Sequence, residues 1–423
     1  MSNEFSKEEK VAFDQLLEGF EDSLALSKKV SKYSNSDVSM ERQGDIIWRP
    51  QPYIAQSFDG MDQSANFSES TQLSVPATLG FEKSSPWIMD AKEMRDALQE
   101  ERLGSAAKQK LASDINVAIM NTAANQSTLV VPVSTAPGDY DDIALCDSIL
   151  NEQGVLSDER YLCLSSRDYN GMAGNLAIAT RSFDGNKSVK AYEKGYVGEV
   201  AGFMTSKLDY ANRITAAAGG AGLTISTLVG AANFHAPTAT RVAATGERSN
   251  VDNRYQTITI SSTTSVVAGD CFTIAGVEAV HHITKNTTGQ LKTFRVISND
   301  SATTLTISPP IVSNQGATDA EAQYQNVEVT ASGTAAIVFL NTTASSINPF
   351  WAKDALEILP GRYAVPSNSG AQIMRASTAQ GIELVFSKQY DINTLKTKYR
   401  IDTLFGVVNK QPEMSGILLF NQA

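Results

Sequence analysis

No run of apolar residues in the sequence approaches the roughly 18 that a membrane-spanning helix requires, so no membrane span is expected. The first residues, Ser2 to Lys10, are charged and lack the apolar middle of a signal peptide, which predicts a chain that stays in the cytoplasm. Cysteine is scarce: Cys146, Cys163 and Cys271 are an odd number without C-x-x-C spacing, which argues against a disulfide framework and a zinc ribbon and predicts buried thiols. Histidine is as scarce. His281 and His282 are adjacent on a predicted strand and point to opposite faces, and no third ligand completes a metal set; His235 has no assignable role. Basic charge is also short: 35 Lys and Arg stand against 46 Asp and Glu, a net charge of −11. A chain that wraps nucleic acid by neutralising phosphates needs the opposite balance. For a container, such a wall would let enclosed DNA slide.

Catalytic signatures are missing too. There is no G-x-S-x-G elbow and no H-E-x-x-H. Gly219-Gly220-Ala221-Gly222 lacks the Lys-Ser/Thr of a phosphate loop and precedes a β region, so it predicts a flexible domain junction. Asp141-Asp142 opens a predicted helix, where paired acids complement the helix dipole. No cofactor, no metal and no catalytic residue is assigned, and the chain is expected not to be an enzyme.

What is present is organisation. A length of 423 residues exceeds one core and predicts two or three domains. Ser6 and Glu9 have capping-box spacing, and Phe13, Leu16, Leu17, Phe20 and Leu24 recur at helical intervals, giving an amphipathic helix over about 6–32 whose apolar stripe needs a partner. From Asn35 to Pro86 short alternating runs such as Thr71–Val75 are broken by Pro and Gly, predicting a long two-stranded excursion that cannot bury a core alone. Asp90 and Glu93 form a second capping box, and the proline-free stretch that follows predicts one long helix to about Asn125, with Gly104 as a possible bend. Mixed α/β character follows, with a helix near Asp141–Gln153 and a strand at Arg160–Ser165. From about 223 to 343 the chain is rich in threonine, and runs such as Tyr255–Ile260, Asp270–Gly276, Lys292–Ile297 and Thr303–Ile307 predict five or six short strands in a small barrel. Host texture returns at Asn348-Pro-Phe-Trp351, so the β region reads as an insertion, and the last strands are Ile382–Phe386 and Tyr399–Phe405.

Asn250-Val-Asp-Asn-Arg254, then Ala268-Gly-Asp270 and Ala275-Gly-Val277, resemble the inserted domain of podovirus major coat proteins of the Salmonella phage P-twenty-two type. Ile47-Trp48, Arg95-Asp96, Val200–Phe203, Phe350–Ala352, Arg400-Ile401, Phe405–Val407 and Pro412-Glu413 extend the resemblance along nearly the whole chain. It implies an α+β protein with the tailed-phage (Hong Kong ninety-seven) major capsid fold. The parts are an N-terminal arm (1–49), an extended loop (50–86) and a peripheral domain with a spine helix (87–129 and 391–423). An axial domain (130–222 and 344–390) carries an inserted β-barrel (223–343). The resemblance further implies hexamers and pentamers in an icosahedral head of triangulation number seven enclosing double-stranded DNA without binding it specifically. A scaffolding protein, a portal protein, assembly in the host cytoplasm and expansion on packaging complete the expectation. In such relatives a loop of the inserted domain bridges capsomers through charge pairs, which places Glu247, Arg248, Asp252 and Arg254 at that contact. Phe13, Leu16, Leu17, Phe20 and Leu24 become arm-helix contacts, and Gly104, Gly219, Gly220 and Gly222 hinges. The rival readings are a fibre or adhesin subunit, suggested by the threonine-rich β region, and a multidomain hydrolase or transferase with an accessory barrel.

Overall fold

The computed structural model describes residues 13–14, 16–17, 19–20, 24–33, 46–51, 54–55, 57–64, 66–67, 73–90, 97–138, 140–177, 185–208, 210–219, 222–226, 252, 254–313, 319–364 and 370–422. The chain divides into two compact units, Met1–Ile47 with Ala77–Met120 and Leu356–Val408, and Trp48–Pro76 with Asn121–Ala355 and Asn409–Ala423.

The first unit is built on a sheet with the spatial order Ser31–Lys32, Leu356–Pro360, Lys396–Asn409, Glu383–Asp391, Gln372–Ser377, and Phe81–Asp90 also pairs with the long strand Lys396–Asn409. Alternation sets its register: Thr397, Tyr399 and Ile401 are buried while Lys396, Lys398 and Arg400 face outward. Trp87 lies opposite Tyr399 and stacks on it at 5.5 Å between ring centroids. Leu111, Ile115 and Ile119 of the helix Ala97–Gln126, one turn apart, are also buried in this unit.

The arm's described residues Phe13, Asp14, Leu16, Leu17, Gly19 and Phe20 are helical. The stripe is covered by its own chain: Phe13, Phe20 and Leu24 are buried, Leu16 and Leu17 half-buried, and the Phe13 ring sits 6.0 Å from that of Phe386. The helix does not run to residue 32 as expected. Ser27 turns its hydroxyl onto the Leu24 carbonyl at 3.1 Å, an alternative to helix propagation, and Ser31–Lys32 pairs in parallel with Leu356–Pro360. The second expected capping box, Asp90 with Glu93, falls partly outside the described residues. Asp90 ends the strand Phe81–Asp90, with its carboxylate 3.3 Å from Lys396. The helix then runs unbroken through Gly104.

In the second unit the sheet order is Leu129–Pro132, Ser415–Leu419, Asn348–Ala352, Arg160–Ser165, Phe203–Leu208, Glu199–Val200. The helices Tyr140–Glu152 and Ser166–Leu176 cover one face through Ile143, Cys146, Leu150, Tyr169 and Met172. Ser165 caps the second helix by accepting a hydrogen bond from the Asp168 amide at 3.2 Å. Phe203 and Phe350 meet edge-on at 6.0 Å and are fully buried, each worth about 1.5–3 kcal/mol of transfer free energy.

The expected domain division at residue 390 differs from these sheets. Glu383–Asp391 and Lys396–Asn409 form one continuous hairpin, so they stay together in the first unit, while Ser415–Leu419 pairs with Asn348–Ala352 and Leu129–Pro132 in the second.

The inserted segment closes on itself. Its strands run Gln256–Thr259, Thr304–Ser308, Thr287–Asn299, Cys271–Val280, Ile337–Phe339 in space. Residues 223–226 then bridge the two open edges: Ile337 N and Ile225 N bond to Leu223 O and Ala335 O on one side, Ser226 N and Ser261 N to Thr259 O and Thr224 O on the other. No edge strand is left open there, the advantage of a barrel. Ile225, Ile258, Phe272, Ile274, Phe294 and Ile307 fill the interior. The excursion is a ribbon of Ile46–Pro50 and Ser74–Thr78, and its Leu73 packs with Ile54 on Val312 and Tyr324 of the inserted segment.

Candidate functional site

The inserted barrel is fixed to the rest of its unit by buried cations. The strand Thr287–Asn299 directs Lys292, Phe294 and Val296 to one face, so a charge stands on an apolar stripe. Lys292 is 1% exposed and its Nζ lies 2.6 Å from Glu413 Oε1 and 2.8 Å from Gln153 Oε1. Glu413, in the short turn Pro412–Met414, also accepts from Asn326 Nδ2 at 3.1 Å. Burial alone would raise the Glu413 pKa, but Lys292 and His282 overcome it and take it down to about 2.

His282 Nε2 lies 3.4 Å from Glu413 Oε2 without making a hydrogen bond. Burial, reinforced by Lys292, Lys285 and His281, lowers its pKa to about 4 against the pull of Glu413, so it is neutral at pH 7. Lys285, which donates to Gln325 O at 3.1 Å, is lowered to about 8, chiefly by burial. His281 spends Nδ1 on the amides of Ile283 and Thr284, both at 3.2 Å. Among the described residues no three His, Cys, Asp or Glu side chains converge on a metal-sized site, and His235 lies outside them.

Arg295, on the opposite face of the same strand and 1% exposed, donates Nη1 to Ala124 O and, at 3.3 Å, to Ser127 O. It thereby satisfies the last carbonyls of the helix Ala97–Gln126 and complements the negative end of its dipole. Thr293 Oγ1 adds a bond to Thr128 O at 2.9 Å. At the neck, Asn341 joins the two passages of chain: its Nδ2 donates to Thr215 O at 3.0 Å and Asp270 Oδ1 at 2.9 Å, and its carbonyl accepts from Ala217 N at 2.8 Å.

Arg254, expected at an inter-capsomer contact, is only 7% exposed. Its Nε and Nη2 bond to Asp252 at 3.0 and 2.7 Å, its Nη1 reaches Asn409 O at 3.0 Å and Gln126 Oε1 at 3.3 Å, and its guanidinium lies 5.0 Å from the Tyr255 ring centroid. A guanidinium with these partners is committed within the subunit, and Asp252 is committed with it. Glu247 and Arg248 lie outside the described residues.

The hinge glycines separate. Gly104 is buried in mid-helix with space for a methyl group, whose nearest neighbour would be Leu16 Cδ1 at 3.5 Å. Gly219 sits under the Phe339 ring, where a Cβ would come within 2.8 Å, so it is a packing glycine. Gly222 has φ +99°, a conformation other residues rarely adopt, and Gly220 lies outside the described residues.

From the sequence, Lys292 and Arg295 belong only to an expected strand, and neither they nor Asn341 has an assigned role. The available signal was a lysine in register with Phe294 and Val296 on an otherwise apolar strand face.

What the arrangement defines, among the described residues, is a structural subunit whose β-barrel is fastened to its host chain by buried cations. The family described as "P22 coat protein - gene protein 5" matches residues 1–421, and the chain belongs to that family. It is therefore a capsid protein, part of the virion and not an enzyme, built of mixed helix and sheet. Similar solved structures include "CUS-3 coat protein I-domain", 39% identical over 29% of this chain and 98% of that one, TM-score 0.23. Others are "Mycobacterium phage Che8", 10% identical, covering 93% of both chains, TM-score 0.43, and "Capsid structure of the Cyanophage P-SCSP1u", 10% identical over 93% of this chain and 86% of that one, TM-score 0.42.

Proposed function

We propose that the chain assembles into hexamers and pentamers of an icosahedral head that encloses double-stranded DNA. Assembly takes place in the host cytoplasm with a scaffolding protein, a portal occupies one vertex, and the shell expands on packaging. The observation that carries the assembly reading is the ribbon's tip, where Phe58, Met61 and Phe67 stand 49%, 105% and 88% exposed. Three large apolar side chains held in water on a narrow excursion are a liability that a neighbouring subunit removes.

Within this reading residues 1–49 are the arm and 50–80 the extended loop, since the strand from Phe81 belongs to a sheet. The spine helix with 356–408 forms the peripheral domain, 130–222 with 344–355 and 409–423 the axial domain, and 223–343 the insertion. The inserted barrel aids subunit folding, because Arg295 and Lys292 place its charges where the host chain has carbonyls and a carboxylate to satisfy. Glu247 and Arg248 carry the inter-capsomer charge, while Asp252 and Arg254 bond to each other and Arg254 bonds to the host chain.

Electron microscopy of the full chain co-expressed with its scaffolding partner tests the assembly reading: closed shells with fivefold and sixfold capsomers are expected, and a population that stays monomeric refutes it. Reversing Glu247 and Arg248 singly is expected to weaken shells that the double reversal restores; unchanged shells in both single variants remove the pair from the interface.

A further inference from the structure

The helical layer on the second unit's sheet ends in two unlike surfaces. At one end the helix Tyr140–Glu152 lies beside the edge strand Leu129–Pro132. At the other the helix Gly185–Lys194 packs on Ser166–Leu176, which itself lies over Arg160–Ser165 and Phe203–Leu208 next to the opposite edge strand. From Tyr140 to Glu159 the chain carries six acids and no Lys or Arg. Asp142 is buried, Asp147 is paired with Arg160 and Glu159 with Lys353. Asp141, Glu152 and Asp158 have no ion pair among the described residues, and Tyr140, Leu145 and Leu156 are 61%, 49% and 78% exposed around them. Asp141, Leu145, Ser148 and Glu152 recur at i, i+4, i+7 and i+11, one helical face.

The far end has the opposite sign and the same apolar content. Lys190 and Lys194, a turn apart and exposed, flank Val189, Tyr192 and Tyr196, which are 52%, 83% and 56% exposed; Glu193 is exposed among them, so Gly185–Tyr196 carries three lysines against one acid. Neither lysine is ion-paired among the described residues. Two complementary surfaces at opposite ends of one layer cannot satisfy each other within a subunit. Between copies they define a heterologous contact, which generates a ring when its rotation closes.

We infer that the acidic face Asp141–Leu145–Glu152 of one copy docks on the basic, tyrosine-bearing face Val189–Lys190–Tyr192–Lys194 of the next copy around a capsomer. The occupant of each face is thus a second copy of this chain. Lysines meet carboxylates at the rim and Leu145 meets Tyr192 at the centre, the arrangement of a polar rim around an aromatic anchor. The inference rests on the capsomer-ring reading and names its contact.

The decisive experiment joins Leu145→Cys and Tyr192→Cys in one full-length chain, whose three native cysteines are all buried and silent. Shells of this variant, oxidised and run on a non-reducing gel, are expected to give a ladder ending at the pentamer and hexamer. Chains with either cysteine alone are expected to give none. Charge reversal supplies an independent arm. Lys190→Glu with Lys194→Glu, or Asp141→Lys with Glu152→Lys, is expected to slow shell formation about tenfold or more while monomer circular dichroism stays unchanged. All four together are expected to restore it. Double-cysteine shells that never yield the ladder overturn the contact, as do both charge-reversed variants assembling at the wild-type rate. A wild-type chain that forms no shells at all instead sinks the ring reading itself.

Discussion

The inserted barrel and the ribbon Ile46–Thr78 are both β excursions, and they treat their edges in opposite ways. The barrel bridges its own edges through residues 223–226, surrounds Phe272 and Phe294 stacked at 5.7 Å, and is tied down by Lys292, Arg295 and Arg254. The ribbon has two strands, buries Leu73, Val75 and Ala77 near its base, and leaves its tip apolar and wet. Closure completes folding inside the chain, whereas an open ribbon defers part of its burial to another molecule. In a coat protein the first is a stable fastener and the second a contact waiting for its neighbour.

The largest way to break the fastener is Glu413→Ala. It strands the Lys292 ammonium, 1% exposed, with only Gln153 as an acceptor among its described contacts. Removing one partner of a buried ion pair costs about 3–5 kcal/mol, to be read as a lower urea midpoint at unchanged slope. Adding Lys292→Met is expected to recover most of the loss; a single variant within about 0.5 kcal/mol of wild type would show that the pair fastens nothing.

Acid attacks the same cluster. His282 titrates near 4 in the fold against an ordinary 6.5, so the unfolded chain takes up the proton first. Stability is full above pH 6.5 and falls as the pH drops toward 4, by roughly 3 kcal/mol at most. Glu413, lowered from 4.5 to about 2, adds loss in the same direction below pH 4.5. Lys292, Lys285 and His281 surround the imidazole, so its proton meets three cationic or basic groups and one carboxylate. His282→Gln is expected to flatten the stability profile between pH 6.5 and 4, followed by urea unfolding at each pH; an unchanged profile removes His282 as the cause.

Much of this was legible in the sequence for physical reasons that can be named. Period-two alternation in Tyr255–Ile260 and the β-branched run Lys292–Ile297 located barrel strands, helical recurrence located the arm helix, and a proline-free stretch located the long helix. What could not be read was which charges are committed inside the subunit. Arg254 and Asp252 have the composition of a solvated loop, and only the approach of Asn409 and Gln126, 155 and 128 residues away in sequence, shows that the guanidinium is spent. Long-range partners leave no local pattern. The same holds for the arm: its stripe at Phe13, Phe20 and Leu24 is plain, but that Phe386 covers part of it depends on a strand some 370 residues on.

A smaller effect sharpens the contrast from the helix side. Gly104 was expected to be a hinge, yet the helix is continuous there and a methyl group would meet Leu16 at ordinary contact distance. Gly104→Ala is expected to stabilise the subunit by about 0.5–1 kcal/mol, because alanine loses less chain entropy in a helix. The midpoint of thermal unfolding measures it, and a destabilised variant would mean that the helix needs to bend.

The smallest effect on stability belongs to the ribbon's tip, and it separates the two regions most cleanly. Phe67, 88% exposed, contributes almost nothing to the isolated subunit, so Phe67→Ser is expected to leave unfolding within about 0.5 kcal/mol of wild type. If assembly buries that ring, the same substitution removes about 1.5–3 kcal/mol at every copy of the contact. Shells should then form only at several-fold higher protein concentration, as followed by light scattering. An equal substitution inside the barrel, Phe294→Ser, is expected to do the reverse, since the ring is fully buried and its loss is felt before any neighbour arrives. A Phe67→Ser chain that unfolds early, or that assembles as the wild type does, would show that the tip is not the part of the fold left for a neighbour to finish.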